Sequence, residues 1–482
     1  MMIRDERNLS MLTDFYQLTM GNGYLESGFL KQEVIFEMFF RKIPDDGGYA
    51  IACGLDQVMN YLSNLEFKES DIEFLGSKGI FSDDFLNYLK NFKFECDVWA
   101  VKEGTPIFPN EPILKVKGPI IQAQLIETMV LLTVNHQSLI ATKAARISKA
   151  AKGATVMEFG SRRAQGYDAA MYGSRAAFIG GVDSSANTLA DLEFSVPAIG
   201  TMAHSWIQLF DNEYDAFLAY AKVYPDAVYL LVDTYNVLKS GVPNAIRIYE
   251  EYLKPQGKKL KGIRLDSGDL TYLSIKSREM LDAAGLEDCI IIVSNSLDEF
   301  TIRSLRHQGA KIDSYGVGER LVTAKSEPVF GGVYKLCAVD KNGKMEPRIK
   351  ISENVGKITN PGDKEIVRFF DKETNMALAD VLVLSDETID ESKDYEIFDQ
   401  HAVWKRKTLT NYYTERILVP VFVKGKQVYQ SPSVLEIKQY CNLQKSRIYP
   451  EIKRFENPQT YYVDLSQKLY DVKHELLNKG GR

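Results

Sequence analysis

The chain has 482 residues, of which 45% are hydrophobic and 26% charged. At roughly 100 to 200 residues per domain this length calls for two or three packed units with ample apolar side chain, which excludes a single small module and a wholly disordered chain. Fifty-nine Lys and Arg against 65 Asp and Glu give a formal net charge of -6, where a nucleic-acid binder is usually basic.

The longest apolar stretches, such as Tyr229 to Val232 and Ile290 to Val293, fall far below the ~18 residues needed to span a bilayer, so no membrane span is expected. The amino terminus mixes charges with polar residues where a secretory peptide carries an apolar core, which leads to a cytoplasmic expectation. Cys53, Cys96, Cys289, Cys337 and Cys441 show no CxxC spacing. Five reduced thiols are expected rather than a zinc knuckle or a disulfide framework.

In chain order, residues 1–125 alternate short helical and strand-like patterns and read as an amino-terminal α/β lobe. Within it Asp97 to Val116 reads as a hairpin, since DVWAV and PILKV alternate apolar positions around a turn-rich EGTPIFPNEP. A helical pattern from Gly118 to Ala151 places Leu125, Met129, Leu132 and His136 at steps of three or four, and residues 126–153 are assigned as a connecting helix.

Residues 154–335 show short apolar runs that each end in polar or Gly-rich residues before a helical stretch. The ends are ATVMEFGSRR, VPAIGTMAHS, VYLLVDTYN, KGIRLDSGD, CIIIVSNSLDE and KIDSYGVGE. Their spacing is that of βα units in a parallel sheet. A barrel and an open doubly wound sheet both place chemistry at the carboxyl ends of strands. So many polar strand ends in succession favour the barrel, with the open sheet as the alternative. After Lys335 the spacing breaks down. ILVPVFVKGKQV at 417–428 reads as a hairpin turning at Gly425, Tyr462 to Leu477 reads as a charged helix, and residues 336–482 are expected to pack on the amino-terminal lobe.

Neither GxxxxGK[ST] nor GxGxxG occurs, so the two commonest nucleotide cradles are absent. VSNS at 293–296 and YGVG at 315–318 offer small residues ahead of helices, where backbone N–H groups and the helix dipole suit phosphate; plain turns are the alternative. His204, one of five histidines, opens a helix in GTMAHSWIQLF. Its imidazole is suited to nucleophilic attack on phosphorus or to general base work, unless it is a capping or core histidine. Arg264, Asp266 and Asp269 combine a guanidinium fork for an anion with carboxylates for sugar hydroxyls, or form a salt-bridged loop. Asp233, ending VYLLVD, is placed to orient the imidazole or hold a metal. Phe159 beside Arg162 and Arg163 suits a flat anion. Tyr16 offers a second flat face, which spacing alone reads as structural.

In this order, TDFYQLTM, EFGSRRAQG, GTMAHS, LLVDTY, RLDSGDL, GVGE and GGVYKL resemble the nicotinate phosphoribosyltransferase family from about residue 10 to residue 370. The resemblance implies a type II phosphoribosyltransferase fold, an incomplete α/β barrel with an additional α/β lobe. It also implies ATP-coupled transfer of the phosphoribosyl group of 5-phosphoribosyl 1-pyrophosphate to nicotinate, giving nicotinate mononucleotide for NAD salvage, with magnesium required. On this resemblance His204 is the phosphorylated histidine, Asp233 joins it in catalysis, and Thr201 contacts nicotinate. Phe159 and Tyr16 sandwich the pyridine, Tyr16 coming from a neighbouring subunit, so that a homodimer shares its active sites. Arg264 faces the substrate carboxylate, Arg162 helps with the phosphates, Asp266 binds ribose hydroxyls, and Ser294, Asn295, Gly316 and Gly318 hold the 5-phosphate.

One departure is Glu319, which stands after GVG where the family motif usually has threonine and would repel phosphate unless it turns away or meets a cation. The amide-using relative, nicotinamide phosphoribosyltransferase, is the nearest alternative. The position that selects the amide falls near Ser184 or Ser185, and serine suits a carboxylate substrate, but an inward Asp183 would reverse that preference. An aldolase-like phosphate-gripping barrel would need a Schiff-base lysine at a strand end, and none of the six ends carries one in its apolar run. A non-catalytic ribose-phosphate-binding barrel is the remaining alternative.

Overall fold

The computed structural model describes residues 7–480, so the first six residues used in reading the amino terminus lie outside the described residues. The chain divides into two compact units, one made of residues up to Leu139 together with those from Val329 on, the other of Ile140–Pro328. The division falls within a long helix, Glu127–Ala151.

The first unit is built on a seven-stranded sheet. An inner strand, Glu33–Phe39, is buried beyond its first residue and pairs antiparallel with Val333–Lys341 on one side and Leu114–Pro119 on the other. The buried Glu37 is tolerated there because Lys364 Nζ meets its carboxylate at 2.9 Å. The hairpin expected over 97–116 is present as Asp97–Val101 paired with Leu114–Pro119. The second hairpin joins Leu418–Val423 to Lys426–Gln427. At its turn Gly425 has φ +72°, and a Cβ there would lie 1.8 Å from the Phe94 carbonyl oxygen, so only glycine fits.

Two expectations need correction here. The helical run does not begin at Gly118. Gly118 and Pro119 end a strand and pair with Val34 and Glu33, and the helix breaks between Ile120–Leu125 and Glu127–Ala151. The charged helix near the carboxyl terminus starts later too, at Gln467, because Val463–Leu465 pairs parallel with Asp380–Leu382.

The second unit carries a six-stranded, all-parallel sheet. Its strands are β1 (Thr155–Glu158), β2 (Ser184–Ser185), β3 (Val228–Leu231), β4 (Leu260–Leu265), β5 (Ile290–Ser294) and β6 (Ser314–Val317). Their order is β2-β1-β6-β5-β4-β3. Each strand therefore neighbours its predecessor in sequence and β6 closes onto β1, as in a barrel, with only the β2–β3 seam open. A doubly wound sheet would reverse its order at an internal switch point instead. The fold is an incomplete α/β barrel.

Five of the expected strand ends are strands. The exception is VPAIGTMAHS, which contributes only an isolated bridge between Ser185 and Ala198. Pro197 has no N–H to donate to a ladder, and the strand at this point in the chain is the two-residue β2.

Candidate active site

The carboxyl ends of β1, β3, β4, β5 and β6 supply the chemistry-bearing residues. His204 starts the short helix His204–Gln208. Its Nδ1 lies 3.1 Å from Thr234 Oγ1, and its Nε2 lies 3.9 Å from Asp266 Oδ2. The half-exposed ring is thus fixed through one nitrogen while the other faces the site.

Asp233 is buried and does not orient the imidazole, which Thr234 does. Its Oδ2 accepts the Asp266 N–H at 2.9 Å and the Ser267 hydroxyl at 2.6 Å, and so shapes the loop after β4. Its Oδ1 is buried with no hydrogen-bond partner among the described residues. Asp266 accepts from the Ser294 hydroxyl on Oδ1, which joins the ends of β4 and β5. Asp269 is a helix cap, its Oδ1 accepting the Tyr272 N–H at 3.0 Å at the start of Leu270–Ala283.

Arg264 donates from Nη1 to Thr201 Oγ1 at 3.2 Å and to the Met202 carbonyl at 3.3 Å, while its Nε is buried and has no partner among the described residues. Burial pulls its pKa below the ordinary arginine value, Asp266 and Asp233 oppose that shift, and Arg162 adds to it. Arg162 is therefore close enough to be felt, and a guanidinium with a spare donor beside a second cation is a receptor for an anion.

Phe159 follows β1. Its N–H donates to the Val317 carbonyl at 2.8 Å, and a Cβ on Gly316 would lie 2.6 Å from its ring. One face of the ring is thus packed against the backbone of β6. Behind it, Glu158 is almost fully buried. Its Oε1 accepts the Gly160 N–H, and its Oε2 accepts the Ser174 hydroxyl at 2.9 Å and the Ser185 hydroxyl at 2.6 Å. Burial pushes this carboxyl up, against the hydrogen bonds from Ser185, Gly160 and Ser174 that hold it down.

Ser185 is fully buried. With its hydroxyl given to Glu158 and its oxygen accepting the Asn187 N–H at 3.0 Å, it supports the Phe159 loop and does not offer a group to a ligand. Asp183 lies before β2, where its Oδ2 accepts the Val156 N–H at 2.9 Å. That is the amino-terminal half of β1, so this carboxylate is turned from the strand ends.

After β5, Asn295 and Ser296 both have left-handed backbones, at φ 83° and 52°, and Asp298 caps the helix Glu299–His307 while pairing with Arg320 at 2.5 Å. Ser294 is buried at the strand end. Gly318 precedes the helical turn Glu319–Val322. Glu319 is held by Lys325 at 2.7 Å, and this partner lowers its pKa, so its charge is already met by a cation. Tyr16 belongs to the first unit, where it is 49% exposed on the helix Phe15–Glu26.

The structure therefore links His204, Asp266, Ser294 and Asp233 in one group and Arg264 with Thr201 in a second, with Asp266 and Asp233 close enough to act on the Arg264 charge. Sequence reasoning missed Thr234, Ser267 and Glu158. Glu158 had a visible signal, a carboxylate inside the apolar run TVME.

Models of known families match along the chain. The nicotinate phosphoribosyltransferase N-terminal domain matches residues 11–135, the nicotinate phosphoribosyltransferase family residues 154–384, and the C-terminal domain residues 363–473. The chain is 42% identical over 474 residues to a nicotinate phosphoribosyltransferase of Bacillus subtilis, covering 98% of this chain and 96% of that one. It is 38% identical over 468 residues to nicotinate phosphoribosyltransferase pncB2 of Mycobacterium tuberculosis, covering 95% and 92%. The crystal structure of human nicotinic acid phosphoribosyltransferase matches with a TM-score of 0.86 at 30% identity, covering 96% of this chain and 99% of that one. Matched over nearly its whole length in sequence and in fold, the chain belongs to the nicotinate phosphoribosyltransferase family.

Proposed function

We propose that the chain transfers the phosphoribosyl group of 5-phosphoribosyl 1-pyrophosphate to nicotinate, forming nicotinate mononucleotide and pyrophosphate for NAD salvage, with ATP hydrolysis coupled through His204. The observation that carries this reading is the pairing of His204 Nε2 with Asp266, 3.9 Å apart, beside an arginine whose Nε lacks a partner among the described residues.

In the transfer, the pyridine nitrogen forms a bond to C1 of ribose as the C1–O bond to pyrophosphate breaks, and pyrophosphate leaves with the electron pair. Positive charge develops at the sugar, where Asp266 steadies it, and negative charge develops on the leaving group, where Arg162 faces it. Arg264 takes the nicotinate carboxylate, with Thr201 fixing its fork. Phe159 offers one ring face to the pyridine and Tyr16 of a second copy the other. The exposure of Tyr16 beside exposed Phe15, Leu12 and Met20 supports a homodimer that covers this apolar surface. Ser294, Asn295, Gly316 and Gly318 receive the 5-phosphate.

In the coupling step, His204 Nε2 attacks the γ-phosphorus of ATP. An N–P bond forms, the bridging O–P bond breaks and ADP leaves; Thr234 on Nδ1 fixes the tautomer. Magnesium fits the donors present. The described residues hold no group of three or more His, Cys, Asp or Glu arranged for a metal, yet Asp233 Oδ1 is buried and unpartnered among them. Magnesium characteristically takes one or two carboxylates and completes its shell with water and substrate phosphate. Asp233 and Asp266 would hold it, and bound there it would neutralise charge on the pyrophosphate. Among the described residues no helix is long and apolar enough to cross a membrane, and the site is proposed to work in the cytoplasm.

The purified chain with 5-phosphoribosyl 1-pyrophosphate, magnesium and ATP is expected to release pyrophosphate and ADP on addition of nicotinate, at least about tenfold faster than with nicotinamide. Release driven by nicotinamide alone would move the chain to the amide-using branch, and silence with both would leave only a phosphate-binding barrel. Because Asp183 is engaged by Val156, Asp183→Asn is expected to leave the nicotinate-to-nicotinamide ratio of kcat/KM within about twofold of the parent. A reversed ratio would put that carboxylate in the site.

A further inference from the structure

Glu213 is a buried carboxylate that the chemistry described above does not use. It stands at the first position of the helix Glu213–Val223, yet it is 3% exposed. It does not cap that helix either, a task that falls to Asn212, whose Oδ1 accepts the Asp215 N–H at 3.0 Å. A glutamate at a helix start can complement the dipole while fully solvated. Here the side chain turns inward instead. Its Oε2 accepts the Ser240 hydroxyl and, at 3.1 Å, the Asn244 amide N–H, and Asn244 also donates to Ser240 Oγ at 3.3 Å. Its Oε1 is buried with no partner among the described residues. Burying a carboxyl against neutral donors contributes little net stability. What it does supply is a fixed distance between segments 27 and 31 positions apart.

Those segments carry the two halves of the histidine pair. On one side, the helix His204–Gln208 is tied to Glu213–Val223 by Trp206 Nε1, which donates to the Ala216 carbonyl at 3.1 Å. On the other, Ser240 lies in the π-helical turn Val237–Gly241, which directly follows the loop of Asp233 and Thr234. Asn236 joins that loop to the turn. Its carbonyl accepts the Ser240 and Gly241 N–H groups at 2.9 Å each, and its Oδ1 accepts the Lys239 N–H at 2.8 Å. A Cβ on Gly241 would lie 1.9 Å from the Val232 carbonyl oxygen, so the turn is seated tightly on the residue after β3. Contacts thus run from His204 through Trp206 and Glu213 to Ser240, Asn236 and Thr234, and close on His204 Nδ1.

We propose that Glu213 is a positioning residue for His204. By clamping the helix after the histidine to the turn after Thr234, it sets the Nδ1–Thr234 contact and with it the nitrogen presented to ATP. The proposal rests on the coupling role proposed for His204. For Nε2 to attack phosphorus it must carry the lone pair, so Nδ1 carries the hydrogen and donates to Thr234 Oγ1. With Thr234 displaced, the ring loses the acceptor that selects this tautomer. Asp233 is anchored separately, by the Asp266 N–H and the Ser267 hydroxyl, so coupling is more sensitive to loss of the clamp than transfer at ribose.

The test reads the tautomer and the two activities in the full chain. Two-bond proton–nitrogen correlation of histidine-labelled protein at about pH 8.5, above the ordinary imidazole range, identifies the tautomer of His204 once His204→Gln has assigned its signals. The parent is expected to hold the Nδ1–H form, and Glu213→Ala to shift at least about a fifth of the population to the Nε2–H form. Nicotinate-dependent ADP release is expected to fall at least about tenfold in Glu213→Ala, while ATP-free pyrophosphate release stays within about threefold of the parent. Glu213→Gln keeps an oxygen for Ser240 and Asn244 and is expected to bring ADP release back to within about threefold of the parent. Should Glu213→Ala fail to fold, Ser240→Ala removes one donor from the clamp and is expected to shift the same tautomer and to slow ADP release at least about threefold. An unchanged tautomer, an equal loss of both activities, or Glu213→Gln as impaired as Glu213→Ala would each overturn the proposal. A parent that releases no ADP with nicotinate would sink the transferase reading instead, and the tautomer would then decide the positioning role by itself.

Discussion

His204→Ala is expected to abolish nicotinate-dependent ADP release, to below about 10⁻³ of the parent rate, while slow pyrophosphate release from nicotinate and 5-phosphoribosyl 1-pyrophosphate persists. The expectation follows from the geometry of the ring. Nδ1 is taken by Thr234 at 3.1 Å, so Nε2 is the nitrogen left to attack phosphorus, and no other histidine has been placed among the strand-end residues. In the proposed transfer the chemistry at ribose falls to Asp266 and the arginines, which the substitution leaves in place, so coupling and transfer should separate. The check is labelling with γ-³²P ATP, in which the parent should yield a phosphoramidate labile to acid and stable to base. Nicotinate-dependent ADP release at parental rates in His204→Ala would remove the histidine from the mechanism.

Glu158→Ala is expected to be among the most destabilising changes in the second unit, by about 3 kcal/mol or more, and to raise KM for nicotinate. One carboxylate serves three donors, the Gly160 N–H and the Ser174 and Ser185 hydroxyls. Its removal orphans them in a buried place, at about 1 to 3 kcal/mol per unsatisfied group before relaxation, and opens a cavity as well. The Gly160 bond sits one residue after Phe159, so the ring loses its support. Denaturant midpoints measure the first effect and steady-state kinetics the second. Loss of stability with unchanged KM would mean that the network holds the fold without positioning the ring.

Much of the barrel was legible because its strands are short apolar runs that stop at polar residues, a pattern set by burial in a parallel sheet. β2 was not legible. Two serines carry no apolar run, and they form a strand only because the edge of β1 is there to pair with. Where the residue type itself announces a charge or a nucleophile, as at His204, Arg264 and Asp266, sequence indicated which side chains gather at the strand ends. They were misread where the same residue type serves the backbone, since nothing local separates Asp269 the helix cap from Asp266. Partners such as Thr234, thirty positions from His204, depend on juxtaposition of loops, which periodicity does not encode. The role of Ser185 failed for a related reason, because sequence located the position without showing which side of β1 the hydroxyl serves.

The discontinuous make-up of the first unit bears on how the chain is made. Ile140–Pro328 is continuous, so it can complete its sheet on the ribosome while the remainder is still being translated. The strand Glu33–Phe39 has no such freedom. Its pairing with Leu114–Pro119 becomes available early, but the partner for its other edge, exemplified by the contact of Cys337 with Glu37, arrives 300 residues later. Until then a largely apolar strand edge stands open, which makes it a segment in need of protection from pairing with another nascent chain.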